Sequence, residues 1–200
     1  MKLINIFLAL LILFSSCKDA NQASPSKESN SSTEELPSNS IFNLTSEWQN
    51  QDGQTLHLKD LQGKTLVVVM IYTTCKTACP ILIAKMKSIE SKIDRKDIDK
   101  VSLVLVSIDP ETDTPEHLKE FSIKNKMNEP QWIFLRSNED ATQEFANVLS
   151  MKYKKISPID FSHSNIISVF KPNGQLYSQE EGDIDVDQVV STVNKSLKAN

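Results

Sequence analysis

The chain has 200 residues, a formal net charge of -4 and a pI near 5.4. That balance argues against nucleic acid as a partner, and no basic stretch interleaved with aromatics appears. The one long apolar run lies at the amino end, so membrane contact is expected only from there.

That end reads as an export signal. Lys2 supplies a short basic start, and Leu3 to Phe14 is apolar apart from Asn5. The run suits a signal-peptide core and is short for a membrane-spanning helix. Ser15 and Ser16 before Cys17 resemble a bacterial lipoprotein cleavage site. Residues 1–16 are therefore expected to be a signal peptide and Cys17 a lipidated first residue, placing the domain in the cell envelope, outside the cytoplasm and tethered to a bacterial membrane. From Lys18 to Ser40 the chain holds Ser, Asn, Lys, Glu and Pro with almost nothing apolar. It cannot bury enough surface to offset its ordering entropy, so residues 17–40 are expected to be a flexible tether. The folded domain is expected over 41–200, a length suited to one ordinary domain.

Within the domain, Asn43 to Leu58 suggests a hairpin about Asp52-Gly53. Leu66 to Tyr72 is an unbroken apolar run rich in β-branched residues, which reads as a central strand buried on both faces. Ile81, Ile83, Met86, Ile89 and Ile93 follow at helical spacing, with the helix opening at Cys79-Pro80. Val101 to Ile108 is a second buried-type strand. Thr114 is a candidate N-cap, with Pro115 at the first helical position. Trp132 to Leu135 reads as a short strand, and Glu139 to Met151 as a helix with Phe145, Val148 and Leu149 on one face. Asn165–Phe170 and Gln175–Tyr177 pair as a hairpin across Pro172-Asn173-Gly174, and Asp185 to Leu197 closes the chain as a helix. This alternation predicts an α/β layer fold. A parallel pair followed by an antiparallel hairpin matches a thioredoxin-like three-layer core, here with an N-terminal β-hairpin extension.

The chemistry centres on Thr73-Thr74-Cys75-Lys76-Thr77-Ala78-Cys79-Pro80. Cys75 and Cys79 are the only cysteines of the domain expected over 41–200. Cys79 falls at a helix amino end and Cys75 in the loop before it. Helix-end N–H groups favour a thiolate there, with Lys76 adding positive charge, so at least one thiol is expected to have a lowered pKa. The spacing allows a Cys75–Cys79 disulfide or a shared metal ion. A static staple closing so short a loop gains little chain entropy, so a switchable pair fits better. Thioredoxin-type oxidoreductases usually have two residues between the cysteines, where this chain has three. Peroxiredoxins place a threonine three residues before the reactive cysteine, where this chain has Tyr72.

Three histidines occur. His57 and His117 read as surface or structural residues. His163, in Asp160-Phe161-Ser162-His163-Ser164, precedes the Asn165–Phe170 strand. The loop there faces the cysteines in thioredoxin-like folds. Two thiolates and an imidazole make a soft set suited to Cu(I). Structural zinc would want a fourth ligand, and none stands out by local spacing.

The Cys-x-x-x-Cys-Pro after an apolar strand, the segment Ser107-Ile108-Asp109-Pro110-Glu111-Thr112-Asp113-Thr114-Pro115 and the Phe161-Ser162-His163-Ser164 step together resemble the Sco/SenC family. Its members are membrane-tethered, thioredoxin-like proteins of copper delivery that help assemble the binuclear copper centre of cytochrome c oxidase. The resemblance implies copper ligation by Cys75, Cys79 and His163, and a second-shell or weakly ligating role for Asp109. It also implies a copper-accepting exported partner such as an oxidase subunit. Many members have proline directly after the first cysteine and aspartate directly before the histidine, where this chain has Lys76 and Ser162. A reading of another class stands beside it: a thiol–disulfide oxidoreductase acting on the cysteines of a copper-site protein, with Cys75 and Cys79 as its redox pair.

Overall fold

In the computed structural model, residues 36–75, 78–158 and 160–199 are described. The expected signal peptide, the Cys17 lipidation site, most of the expected tether and Lys76 lie outside them.

A seven-stranded sheet forms the middle of the domain. A hairpin of β1 (Glu47–Asn50) and β2 (Thr55–His57) makes one edge. Next come β5 (Trp132–Arg136), β4 (Val101–Ser107), β3 (Thr65–Ile71), β8 (Ile166–Phe170) and β9 (Leu176–Glu181). The β3–β4 and β4–β5 pairs are parallel, and β3–β8 and β8–β9 are antiparallel. Every residue of β3 and β4 is buried. Strands covered on both faces need apolar side chains on both, which is why these two read as continuous hydrophobic runs.

Side chains alternate across a strand, so ring contacts and hydrogen bonds assign the helices to faces. On β5, Trp132 donates its indole N–H to Glu90 of α1 (Ala78–Lys92) at 2.7 Å. Phe134, two residues on, meets Phe121 of α2 (Pro115–Lys124) edge to face. The last helix, α4 (Val186–Lys198), packs on α1. These three cover one face. Trp48 lies on the opposite face, in register with the Leu135 side of β5, and packs against Phe145 of α3 (Glu139–Val148). The result is the expected three layers.

Several boundaries differ from the sequence reading. Helix α3 ends at Val148 because Ser150 turns left-handed (φ 52°), and Val148 is 43% exposed while Phe145 and Leu149 are buried. A small two-stranded ladder, β6 (Tyr153–Lys155) with β7 (Phe161–His163), was not expected. Its strands are three residues each with one Tyr or Phe apiece, too short to show a period.

Residues 36–40, expected to close the tether, pack on the domain. Ser40 donates to the Asn173 carbonyl at 2.7 Å, and Ile41 N–H donates to the Gly174 carbonyl at 3.0 Å. Gly174 has φ +81°, and a Cβ there would stand 2.2 Å from Ser40 Oγ and 2.7 Å from the Phe42 ring. Gly174→Ala is therefore expected to cost about 2 kcal/mol or more, through left-handed strain and overpacking, in urea denaturation. Adding Ser40→Ala should restore part of that loss.

Candidate metal centre

The site sits beyond the carboxyl ends of the parallel strands β3 and β4, where open α/β sheets place their ligands. After β3 the chain turns through Thr73 and Thr74, and α1 opens at Ala78. Cys75 lies in that turn and Cys79 in the first helical turn, both buried. Cys79 N–H donates to Cys75 Sγ at 3.4 Å, so the helix end serves the first sulfur. The two sulfurs are not joined by a disulfide.

A buried carboxylate fixes the turn. Asp113 follows β4 and is fully inaccessible. It accepts the Thr73 hydroxyl at 2.5 Å, the Ser107 hydroxyl at 2.5 Å and, more weakly, the Thr73 N–H. Burial raises its pKa, and the Ser107 and Thr73 hydrogen bonds oppose that shift. In the step Thr112-Asp113-Thr114-Pro115, Asp113 has the sequence signature of a turn or helix-start residue. Its role as the tie between the β4 end and the cysteine turn depends on a contact across 40 residues, which no local spacing reveals.

His163 ends β7. One of its ring nitrogens and the two cysteine sulfurs all lie within 4.8 Å of one another. Among the described residues this is the only group of three or more His, Cys, Asp or Glu side chains so placed. His163 Nδ1 lies 3.1 Å from the Ser164 carbonyl, which can only accept, so Nδ1 carries the proton and the lone pair is on Nε2. Nε2 is buried and has no hydrogen-bond partner among the described residues. A buried unpaired acceptor is costly unless something occupies it, and a metal ion would.

Tyr72 joins the two halves. Its ring stands edge-on to His163 at 5.8 Å and packs on Phe161 at 5.2 Å. Its hydroxyl reaches the Phe161 carbonyl and also engages Cys75. Burial, reinforced by Cys75, pushes the phenol up to about 12, so it stays a donor at neutral pH.

The expectation of a lowered pKa for at least one thiol does not hold at Cys79: burial drives it well above the ordinary range, and the neighbouring Cys75 adds to the rise. Helix-end stabilisation is outweighed because Cys79 is 2% exposed. Asp109 lies outside the Cys75–Cys79–His163 group, which leaves the second-shell side of its expected role standing. Its backbone shapes the turn, accepting from Thr112 and Asp113, and its carboxylate lines a separate cavity. His57 is exposed, and His117 contacts the Thr112 carbonyl, as surface or structural residues do.

The family model for SCO1/SenC matches residues 33–198. This chain belongs to the SCO1/SenC family. It is 28% identical over 154 residues to the SCO1 protein homolog of Bacillus subtilis, covering 74% of this chain and 79% of that one. The solved structure of BsSco is described as a member of the Sco family of cytochrome c oxidase assembly proteins with a disulfide switch. It superposes with TM-score 0.67 at 27% identity, covering 77% of this chain and 92% of that one. Arabidopsis thaliana ScoI with copper bound superposes with TM-score 0.68 at 23% identity, covering 77% and 96%. The fold is thioredoxin-like, as expected.

Asp113→Ala strips the acceptor from the buried Ser107 hydroxyl and the half-buried Thr73 hydroxyl and is expected to cost about 2–3 kcal/mol in denaturant unfolding. Thr73→Val should cost about 1 kcal/mol, and the double variant should show clear non-additivity. In the Cys75→Ser variant, alkylation of Cys79 should be slow at neutral pH. Its rate should climb roughly tenfold per pH unit to about pH 9 without a plateau, because the thiolate forms only above that range.

Proposed function

We propose that this SCO1/SenC protein is a copper-binding metallochaperone. One copper ion is its cargo, held by Cys75, Cys79 and His163. The observation that carries this reading is the convergence of two sulfurs and one imidazole nitrogen within 4.8 Å, with the imidazole lone pair at a buried, unpartnered Nε2. Soft sulfur with imidazole selects Cu(I). Zinc would want a fourth protein ligand, and none joins the cluster among the described residues.

The residues divide the work. Cys75 and Cys79 are buried at the turn–helix junction and grip the ion from the domain side. His163 is half-buried and borne on the small β6–β7 ladder, so an acceptor would displace it first. The Asp113–Thr73 tie holds the sulfurs still during that exchange. Loading requires both cysteines as thiols, so a Cys75–Cys79 disulfide would block it and make delivery responsive to redox state. A thiol–disulfide exchange role for the same pair is the second reading, favoured by the 3.4 Å approach of Cys79 N–H to Cys75 Sγ.

The acceptor in this proposal is an exported copper protein, with the binuclear copper site of cytochrome c oxidase as the leading candidate. The family's description as oxidase assembly proteins supports it. Lipidation at Cys17 would hold the domain at the outer side of a membrane, where such an acceptor lies.

Titration of the reduced protein with Cu(I) is expected to saturate at about one equivalent. His163→Ala should weaken binding by at least roughly tenfold, since loss of groups behind a ligand alone costs that much. Equal affinity in wild type and variant would remove His163 from the site. Disulfide turnover that survives His163→Ala and vanishes in Cys75→Ser would favour the exchange reading.

A further inference from the structure

Beside the metal centre lies a cavity of about 400 Å³ that the copper reading does not use. Its wall on the sheet side is the turn after β4, including Asp109 and Glu111. The first turn of α3 contributes Glu139 and Asp140. The small ladder closes it with Tyr153, Phe161 and two lysines. Carboxylates thus outnumber cations around a space the size of an ordinary ligand pocket.

The decisive group is Asp109. It is 2% exposed, and its Oδ2 is buried with no hydrogen-bond partner among the described residues. A buried carboxylate oxygen left without a donor is costly, so the site calls for one. Lys155 pairs with Glu111 at 3.1 Å and lies over the Phe161 ring at 5.6 Å, which shows that this wall already receives a cation. A bare metal ion does not fit. Among the described residues, no three carboxylates here bring their oxygens close enough to share one.

We propose that this cavity binds an organic cation, a guanidinium or ammonium group, with Asp109 as the anchoring acceptor and Tyr153 and Phe161 as the aromatic walls. The rims from Glu139 and Asp140 add attraction. The group arrives either on a free small molecule or on a basic side chain of a protein partner. Its binding is independent of metal, and it touches the ladder that carries His163.

Amide NMR titration of the full chain with N-acetyl-arginine amide tests this. Asp109, Tyr153 and Phe161 are expected to shift saturably. N-acetyl-norleucine amide, of similar reach without charge, should leave them unmoved. Asp109→Asn should weaken binding roughly tenfold, as loss of a charge-assisted bond does. Glu139→Gln with Asp140→Asn, both exposed, provides a variant that spares the interior and should weaken it severalfold. A serine-flanked arginine peptide binding roughly tenfold tighter than the amide assigns the cation to a protein partner; equal affinity assigns it to a small molecule. No saturable shift, an equal response to the norleucine amide, or full affinity in Asp109→Asn overturns the proposal.

Discussion

The cysteine turn is held in place by one buried carboxylate. Asp113 gathers the hydroxyls of Thr73 and Ser107, one from each parallel strand end, and so locks the exit of β3 to the exit of β4. Within the turn, Cys75 N–H donates to the Tyr72 carbonyl at 3.2 Å and Cys79 N–H to Cys75 Sγ at 3.4 Å, and the Asp113 bond to the Thr73 hydroxyl is what joins that turn to the end of β4. The carboxylate is costly to bury and is stabilised by the groups it orders. Sheet, turn and helix therefore reach the metal centre as one unit, with the imidazole delivered separately from the other side.

That division makes the centre asymmetric. The sulfurs belong to the most buried part of the fold, and the imidazole belongs to a ladder of three-residue strands joined to the body through Tyr72 and Phe161. Rigidity on one side and a lighter attachment on the other suit the proposed role of holding and then surrendering a copper ion. A high thiol pKa at Cys79 adds to this: without an ion the group stays protonated, neutral and comfortable in its apolar surroundings.

Much of this was legible in the chain. The runs at Leu66–Tyr72 and Val101–Ile108 announced central strands because burial on both faces erases alternation. Cys75, Cys79 and His163 were legible as donors because so few soft ligands exist in the domain. What stayed hidden depends on distant contacts. Asp113 looked like turn chemistry, and only the fold brings Thr73 to it. The β6–β7 ladder lacked enough apolar residues to signal strands. The direction of the Cys79 shift needed burial, which position at a helix end does not reveal.

The stitched entry at Ser40, Ile41 and Gly174 has a mechanical consequence. These residues join the β8–β9 turn, and Gly63 N–H donates to Pro172 in that same turn, just before β3 begins. The chain therefore enters at the base of the sheet, at the pole opposite the two sulfurs. A pull applied at residues 36–40 loads that base and leaves the far pole, with its two sulfurs, unstressed.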